Sequence, residues 1–167
     1  RSGRAVAIPL WGEQIGLSPA RISLIFGAGV LVEVLIFYPS GLLMDRRGRV
    51  IVAVPTTILL GLSLILLPLT TTALGLTAVS LLTGLGNGLG SGIVMTLGAD
   101  AAPAVGRAGF LGVWRLISLV GANGAALLVS LIAAVAGLGA ASLAVGLLSI
   151  AGGGWLAHWV PKWDPRR

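Results

Sequence analysis

Between Arg49 and Asp100 the chain runs for fifty residues, Val50 to Ala99, without one ionisable side chain. A second such run, Leu116 to Ala157, covers forty-two more. Apolar runs beyond about 18 residues are long enough to cross a bilayer as helices. A water-soluble domain cannot hide two of them. Its composition is roughly 25% charged, whereas these 167 residues are 10% charged and 56% hydrophobic, with a mean hydropathy of +1.04. Open sheets are excluded in hydrocarbon because their edges go unsatisfied, and the runs are too long for barrel strands. The expected fold class is therefore all-α, a polytopic transmembrane helical bundle forming one domain over residues 1–167.

A helix crossing a hydrocarbon core of roughly 30 Å needs about 20 residues. The fifty-residue run must then hold two spans, and Pro68-Leu69-Thr70-Thr71-Thr72 is the natural turn between them. The forty-two-residue run breaks in the same way near Gly137-Leu138-Gly139. Complete helices are predicted at about 21–43, 51–69, 74–98, 108–134 and 140–160. Residues 1–12 are apolar toward their end but too short to span, and are expected to be the latter part of a sixth helix.

The charges excluded from the spans set an expected orientation. Arg46, Arg47, Arg49, Arg107, Lys162, Arg166 and Arg167 fall in segments on one side, against Arg21 on the other. Seven cations against one place the arginine-rich loops and the C-terminus in the cytoplasm, in an inner membrane. The net charge of +6 is then a topological signal and does not call for nucleic acid. Trp155, Trp159 and Trp163 at the end of the last helix, and Trp11 near the opposite face, suit headgroup-level aromatic rings. The chain has no cysteine and one histidine, His158, which leaves no thiolate or polyhistidine metal site and implies no cofactor.

The loop after the first complete span reads Gly41-Leu42-Leu43-Met44-Asp45-Arg46-Arg47-Gly48-Arg49. It resembles the G-x-L-x-D-R-x-G-R signature of the major facilitator superfamily, whose six-helix halves each carry this loop between their second and third helices. Two weaker likenesses point the same way. Asp100 to Pro103 and Arg107 to Gly112 resemble the turn between the fourth and fifth helices of a half. The segment Gly121-Ala122-Asn123-Gly124 is similar to the glycine–proline motif of antiporters, without its proline. The stretch Leu82 to Gly86 lacks the arginine usual in the fourth helix of the N-terminal half, and the chain ends in Trp163-Asp164-Pro165-Arg166-Arg167. The resemblance therefore implies the C-terminal six-helix half, its first helix truncated.

The resemblance also implies roles. Gly41, Asp45, Arg46, Gly48, Arg49, Asp100 and Arg107 would form a cytoplasmic gating motif, the alternative being that they only fix topology. In it, Asp45 caps a helix of the other half, and Arg46 and Arg49 pair with Asp100. Within the spans, Glu33 is the one acid at mid-depth. A carboxylate there is costly unless paired, protonated or facing water, so a proton-carrying role and a hydrogen-bonded packing role both stand. Arg4 would lie deep enough to meet an anionic substrate group. Arg115, two turns inside its helix, is close enough to the interface to snorkel, with substrate binding as the other reading. Asn87 and Asn123 near mid-span are candidate cavity-lining groups or interhelical hydrogen bonds. Gly84, Gly88 and Gly92 recur every four residues, which would put them on one close-packing face, while Gly86 and Gly90 thin a second face toward a cavity.

By resemblance the function is that of a secondary transporter moving a small solute, and possibly protons, by alternating access. Its site would lie at the midplane between this half and a missing N-terminal half or second copy. An apolar lining favours proton-linked efflux of amphipathic compounds. A scaffold subunit, or a half that homodimerises, is the rival reading. No enzymatic arrangement of nucleophile and base is present.

Overall fold

A computed structural model describes residues 3–163, leaving Arg1, Arg166 and Arg167 outside, with the side chains of Lys162 and Trp163. All regular structure within it is helical. Helix α1 covers Arg4–Gln14, α2 Pro19–Arg47 and α3 Val50–Leu66, continued by a 3-10 turn over Leu67–Leu69. Helix α4 covers Ala73–Leu89, α5 Ile93–Ala101 and α6 Arg107–Trp163. Four of these stretches are long and apolar enough to cross a membrane: Pro19–Arg47, Val50–Leu69, Ala73–Ala101 and Arg107–Trp159.

A straight helix of 57 residues would measure about 85 Å, far beyond a bilayer. Helix α6 instead breaks at Gly137, with φ 85° and ψ 160°, into arms over 107–136 and 138–163. The second arm returns antiparallel along α3: Gly139 meets Pro68, Gly146 meets Gly61, and Gly153 meets Thr57. The Ser149 hydroxyl donates to the Thr57 carbonyl at 3.0 Å across the same contact. That backbone geometry at Gly137 is nearly confined to glycine. No atom lies within 4 Å of where a Cβ would stand there, so a Gly137→Ala change isolates the backbone cost. It is expected to destabilise by about 1–3 kcal/mol. Gly139→Ala, 3.6 Å from Pro68, should stay within about 0.5 kcal/mol. Thermal unfolding in detergent compares them, and equal midpoints would sink the argument.

Helices α2 and α4 run parallel and touch through backbone. Ser80 donates to the Ile25 carbonyl at 2.9 Å, Gly84 abuts Gly29, and Gly88 abuts Glu33 and Ile36. The other glycine face of α4 is filled as well. Gly86 meets Leu59 and Leu60, and Gly90 meets Thr56, all on α3. That face is helix packing and lines no cavity in this arrangement. Gly92 departs from the expected stripe too. With φ 87° and ψ −17° it is a left-handed residue that breaks the predicted 74–98 helix into α4 and α5. The Leu89 carbonyl at this break accepts the Ser40 hydroxyl at 2.5 Å.

Two apolar clusters brace opposite ends. Ala7, Ile8, Ile25, Leu64, Leu67, Leu76 and Val79 fill the end at the Pro68 turn. There Trp11 donates its indole N–H to the Thr70 carbonyl at 3.0 Å. Met44, Val52, Ala53 and Ile93, with Leu97 and Leu156, fill the arginine-rich end. Between them, at mid-depth, the packing includes charge.

Candidate functional site

Glu33 lies fourteen residues from each end of α2, and Asn87 fourteen residues from each end of the Ala73–Ala101 span. At about 1.5 Å per residue, both sit about 21 Å from the ends of their helices, at a common depth. The parallel packing of α2 on α4 turns them toward each other. The Asn87 amide donates to Glu33 Oε1 at 2.6 Å. Helix α1 brings in the third member: Arg4 Nη2 donates to Glu33 Oε2 and forms an ion pair with it. The Arg4 guanidinium also lies 5.7 Å from the centroid of the Phe26 ring, a cation–π distance.

Both carboxylate oxygens of Glu33 thus face donors. An ion pair is the least costly way to keep either charge in a membrane interior, since each cancels the other's field. The Arg4 and Glu33 side chains keep 14% and 20% of their surface exposed. Three residues that the sequence offers as separate candidates are therefore one cluster drawn from three helices. The signal that joins Glu33 to Asn87 is their equal distance from the ends of their spans.

Asn123 does not join them. It is exposed on the first arm of α6 and donates to its own helix, at the Leu119 carbonyl. Among the described residues it therefore makes no interhelical hydrogen bond. Arg115 is exposed on the same arm.

The second cluster is at the arginine-rich end. Gly48, with φ 89°, is the hinge that lets α3 start so soon after α2 ends. It places Arg49 at the foot of α3, buried, with 6% exposure. Arg49 Nε donates to Asp100 Oδ2 at 2.9 Å, and Nη1 reaches Asp45 Oδ1 at 3.4 Å. The hydrogen bond to Asp100, outweighing burial, pushes the Arg49 guanidinium above its ordinary value. A raised cation stabilises below its unfolded value and loses that effect only as pH rises through the folded one. Both lie beyond the working range, so Arg49 itself adds no pH dependence there. Arg46 does not share Asp100 as expected: it is exposed and makes no ion pair among the described residues. Gly41 has open space beside it, and Arg107 reaches the Ala99 carbonyl at 3.5 Å.

These distances grade the cluster. Asp100→Asn is expected to lower the unfolding midpoint more than Asp45→Asn, because the Asp45 side chain is 68% exposed and its contact is longer. Removing the Asp100 charge beside a buried cation should cost about 1–3 kcal/mol, and removing Asp45 under about 1 kcal/mol. Thermal unfolding in detergent reads both, and the reverse order would contradict the geometry.

A central carboxylate held between two helices and a glycine-hinged arginine loop beneath it thus lie within a bundle of long apolar spans. The family model described as Major Facilitator Superfamily matches residues 2–167. The chain belongs to the Major Facilitator Superfamily. Curated proteins provide no match to it. Membership makes the chain part of an integral membrane transport protein.

Proposed function

We propose that this chain is the C-terminal half of a proton-linked transporter that moves small amphipathic compounds outward by alternating access. The C-terminus and arginine-rich end lie in the cytoplasm of an inner membrane. The observation that carries the reading is the Arg4–Glu33–Asn87 cluster at mid-depth. A charged pair is retained in a membrane interior where an apolar pair would be less costly, and its use is to be broken and remade during a cycle. Protonation of Glu33 discharges the carboxylate and releases Arg4, so proton binding changes which helix contacts survive. The Arg49–Asp100 pair, with Asp45 at its edge, closes the cytoplasmic end, and the two clusters bias one rocking equilibrium from opposite depths. The apolar faces of α2 and of the first arm of α6 are the surfaces against which an N-terminal half packs.

The test is transport in proteoliposomes of the full protein carrying this chain, under an imposed pH gradient. Wild type is expected to drive efflux of lipophilic dyes. The double variant Arg4→Gln/Glu33→Gln removes both charges together and so keeps its fold. It should retain exchange at equal pH while losing response to the gradient. A double variant that still follows the gradient would remove Glu33 as the proton carrier. Transport by the 167-residue chain alone would replace the two-half reading with a homodimer, and no transport by either would favour the scaffold.

A further inference from the structure

The end of the bundle opposite the arginine-rich loop holds polar groups that the central cluster does not involve. A cavity of about 450 Å³ opens there between the last turn of α1 and the break in α6. It is lined by Leu10, Glu13, Gln14, Ala133, Gly137 and Leu138. Glu13 and Gln14 follow Leu10 by three and four residues, so one face of α1 supplies all three. The break at Gly137 supplies the opposite wall, with no atom within 4 Å of where a Cβ would stand. The volume falls within the roughly 300–1,000 Å³ of small-molecule sites and far exceeds a bare ion.

The lining is negative. Glu13 and Gln14 are exposed, and among the described residues their side chains make no hydrogen bond or ion pair. Both belong to the last turn of α1, where the helix end adds about half a negative charge to that of the carboxylate. At Gly137 the C-terminal end of one arm of α6 meets the N-terminal end of the next, so their dipoles offset each other. Among the described residues no cation lines the cavity. Arg21, the nearest along the chain, is eight residues past Glu13 and exposed at the start of α2. One carboxylate and one amide are too few oxygens for a divalent cation, which takes about six. Two polar side chains also leave most hydroxyls of a sugar unpaired. A phospholipid headgroup would set its phosphate beside Glu13 with no cation to meet it. What fits is a single positive charge on an apolar body.

We propose that this cavity binds an amphipathic ammonium compound. Its head meets the Glu13 carboxylate and the Gln14 amide oxygen, and its body lies against Leu10, Ala133 and Leu138. The binding site stands on its own lining, whereas its place as the outermost station for compounds leaving the cell rests on the transporter reading. Because Glu13 is exposed, salt screens its contact with the head, and most of the affinity comes from the apolar body. Affinity is therefore expected to rise with alkyl chain length and to fall with ionic strength.

The experiment measures equilibrium binding of radiolabelled hexyltrimethylammonium to the full protein in detergent, with hexanesulfonate and phosphatidylethanolamine as competitors. Hexyltrimethylammonium is expected to bind, and neither competitor to displace it. Glu13→Gln should raise its Kd about fivefold at low salt, and Glu13→Asp, which keeps the charge, less than about twofold. Leu10→Trp keeps the charge but fills the cavity, and should weaken binding at least as much as Glu13→Gln. Glu13 and Leu10 are both exposed, so these variants leave the fold intact. Absence of binding, or an unchanged Kd in either Glu13→Gln or Leu10→Trp, would overturn the site. Displacement by hexanesulfonate at equal concentration would overturn the charge argument. Displacement by phosphatidylethanolamine that Glu13→Gln abolishes would replace the small ammonium compound with a lipid amine. Binding is read without a gradient, so each of these failures leaves proton-linked efflux standing. Efflux that fails while binding persists leaves this site standing.

Discussion

Gly84→Ala is expected to cost the protein most of its folded yield, although it adds one methyl group to a helix. A Cβ at Gly84 would stand 2.1 Å from the Gly29 carbonyl oxygen, 2.9 Å from its carbon and 3.2 Å from its Cα. All three atoms are backbone, so no rotamer change relieves the clash. Ordinary contact near about 3.5 Å requires the two helices to part by about 1 Å. Parting them lengthens the Ser80 bond to Ile25 and the Asn87 bond to Glu33, which cross the same contact. Overpacking costs about 1–3 kcal/mol, and weakened buried hydrogen bonds add about 1 kcal/mol each. The total comes to more than about 3 kcal/mol. Gly121→Ala and Gly124→Ala make the same chemical change where nothing lies within 4 Å. They should be neutral, or slightly stabilising through helix propensity. Monodisperse yield and unfolding midpoint in detergent decide it. If Gly84→Ala behaves like Gly121→Ala, α2 and α4 do not touch through Gly84 and Gly29.

How far the sequence foretells this contact shows what kind of information it holds. Hydropathy separates helices well, because a bilayer of given thickness and a rise of about 1.5 Å per residue leave few ways to divide a long uncharged run. The Gly41–Arg49 motif likewise carries its own explanation, once Gly48 is seen at positive φ. Rotation of a helix about its axis is another matter, since packing sets it and hydrophobic length does not. A four-residue glycine repeat therefore looks uniform from Gly84 to Gly92. Only packing reveals that Gly84 and Gly88 meet α2, whereas Gly92 stops a helix. The same limit separates Arg4, Glu33 and Asn87. Arg4 lies 29 positions from Glu33, and Asn87 lies 54. No local pattern links residues so far apart, and depth, counted from the span ends, is the one sequence property that joins Glu33 to Asn87.

Breaking the central pair from one side is expected to be worse than removing it whole. Glu33→Gln leaves Arg4 charged in the interior with an amide for a partner, and a guanidinium has no way to discharge. Stranding one member of a buried pair costs about 3–5 kcal/mol, with part of that recovered here by the Phe26 face and by the 14% of Arg4 that stays exposed. Arg4→Gln instead removes the ion-pair partner that the carboxylate has among the described residues. Glu33 still accepts from Asn87 and can take a proton from solvent, so this variant should be the milder of the two. Among the described residues the double variant carries no charge at the site. Its two amides can bond each other and Asn87, so it should return to within about 1–2 kcal/mol of wild type. Unfolding in detergent across the four proteins gives a coupling energy. A large favourable value with Glu33→Gln at the bottom is the expected pattern. Additive losses would mean that Arg4 and Glu33 do not depend on each other, and the site would then have no pair for a proton to open.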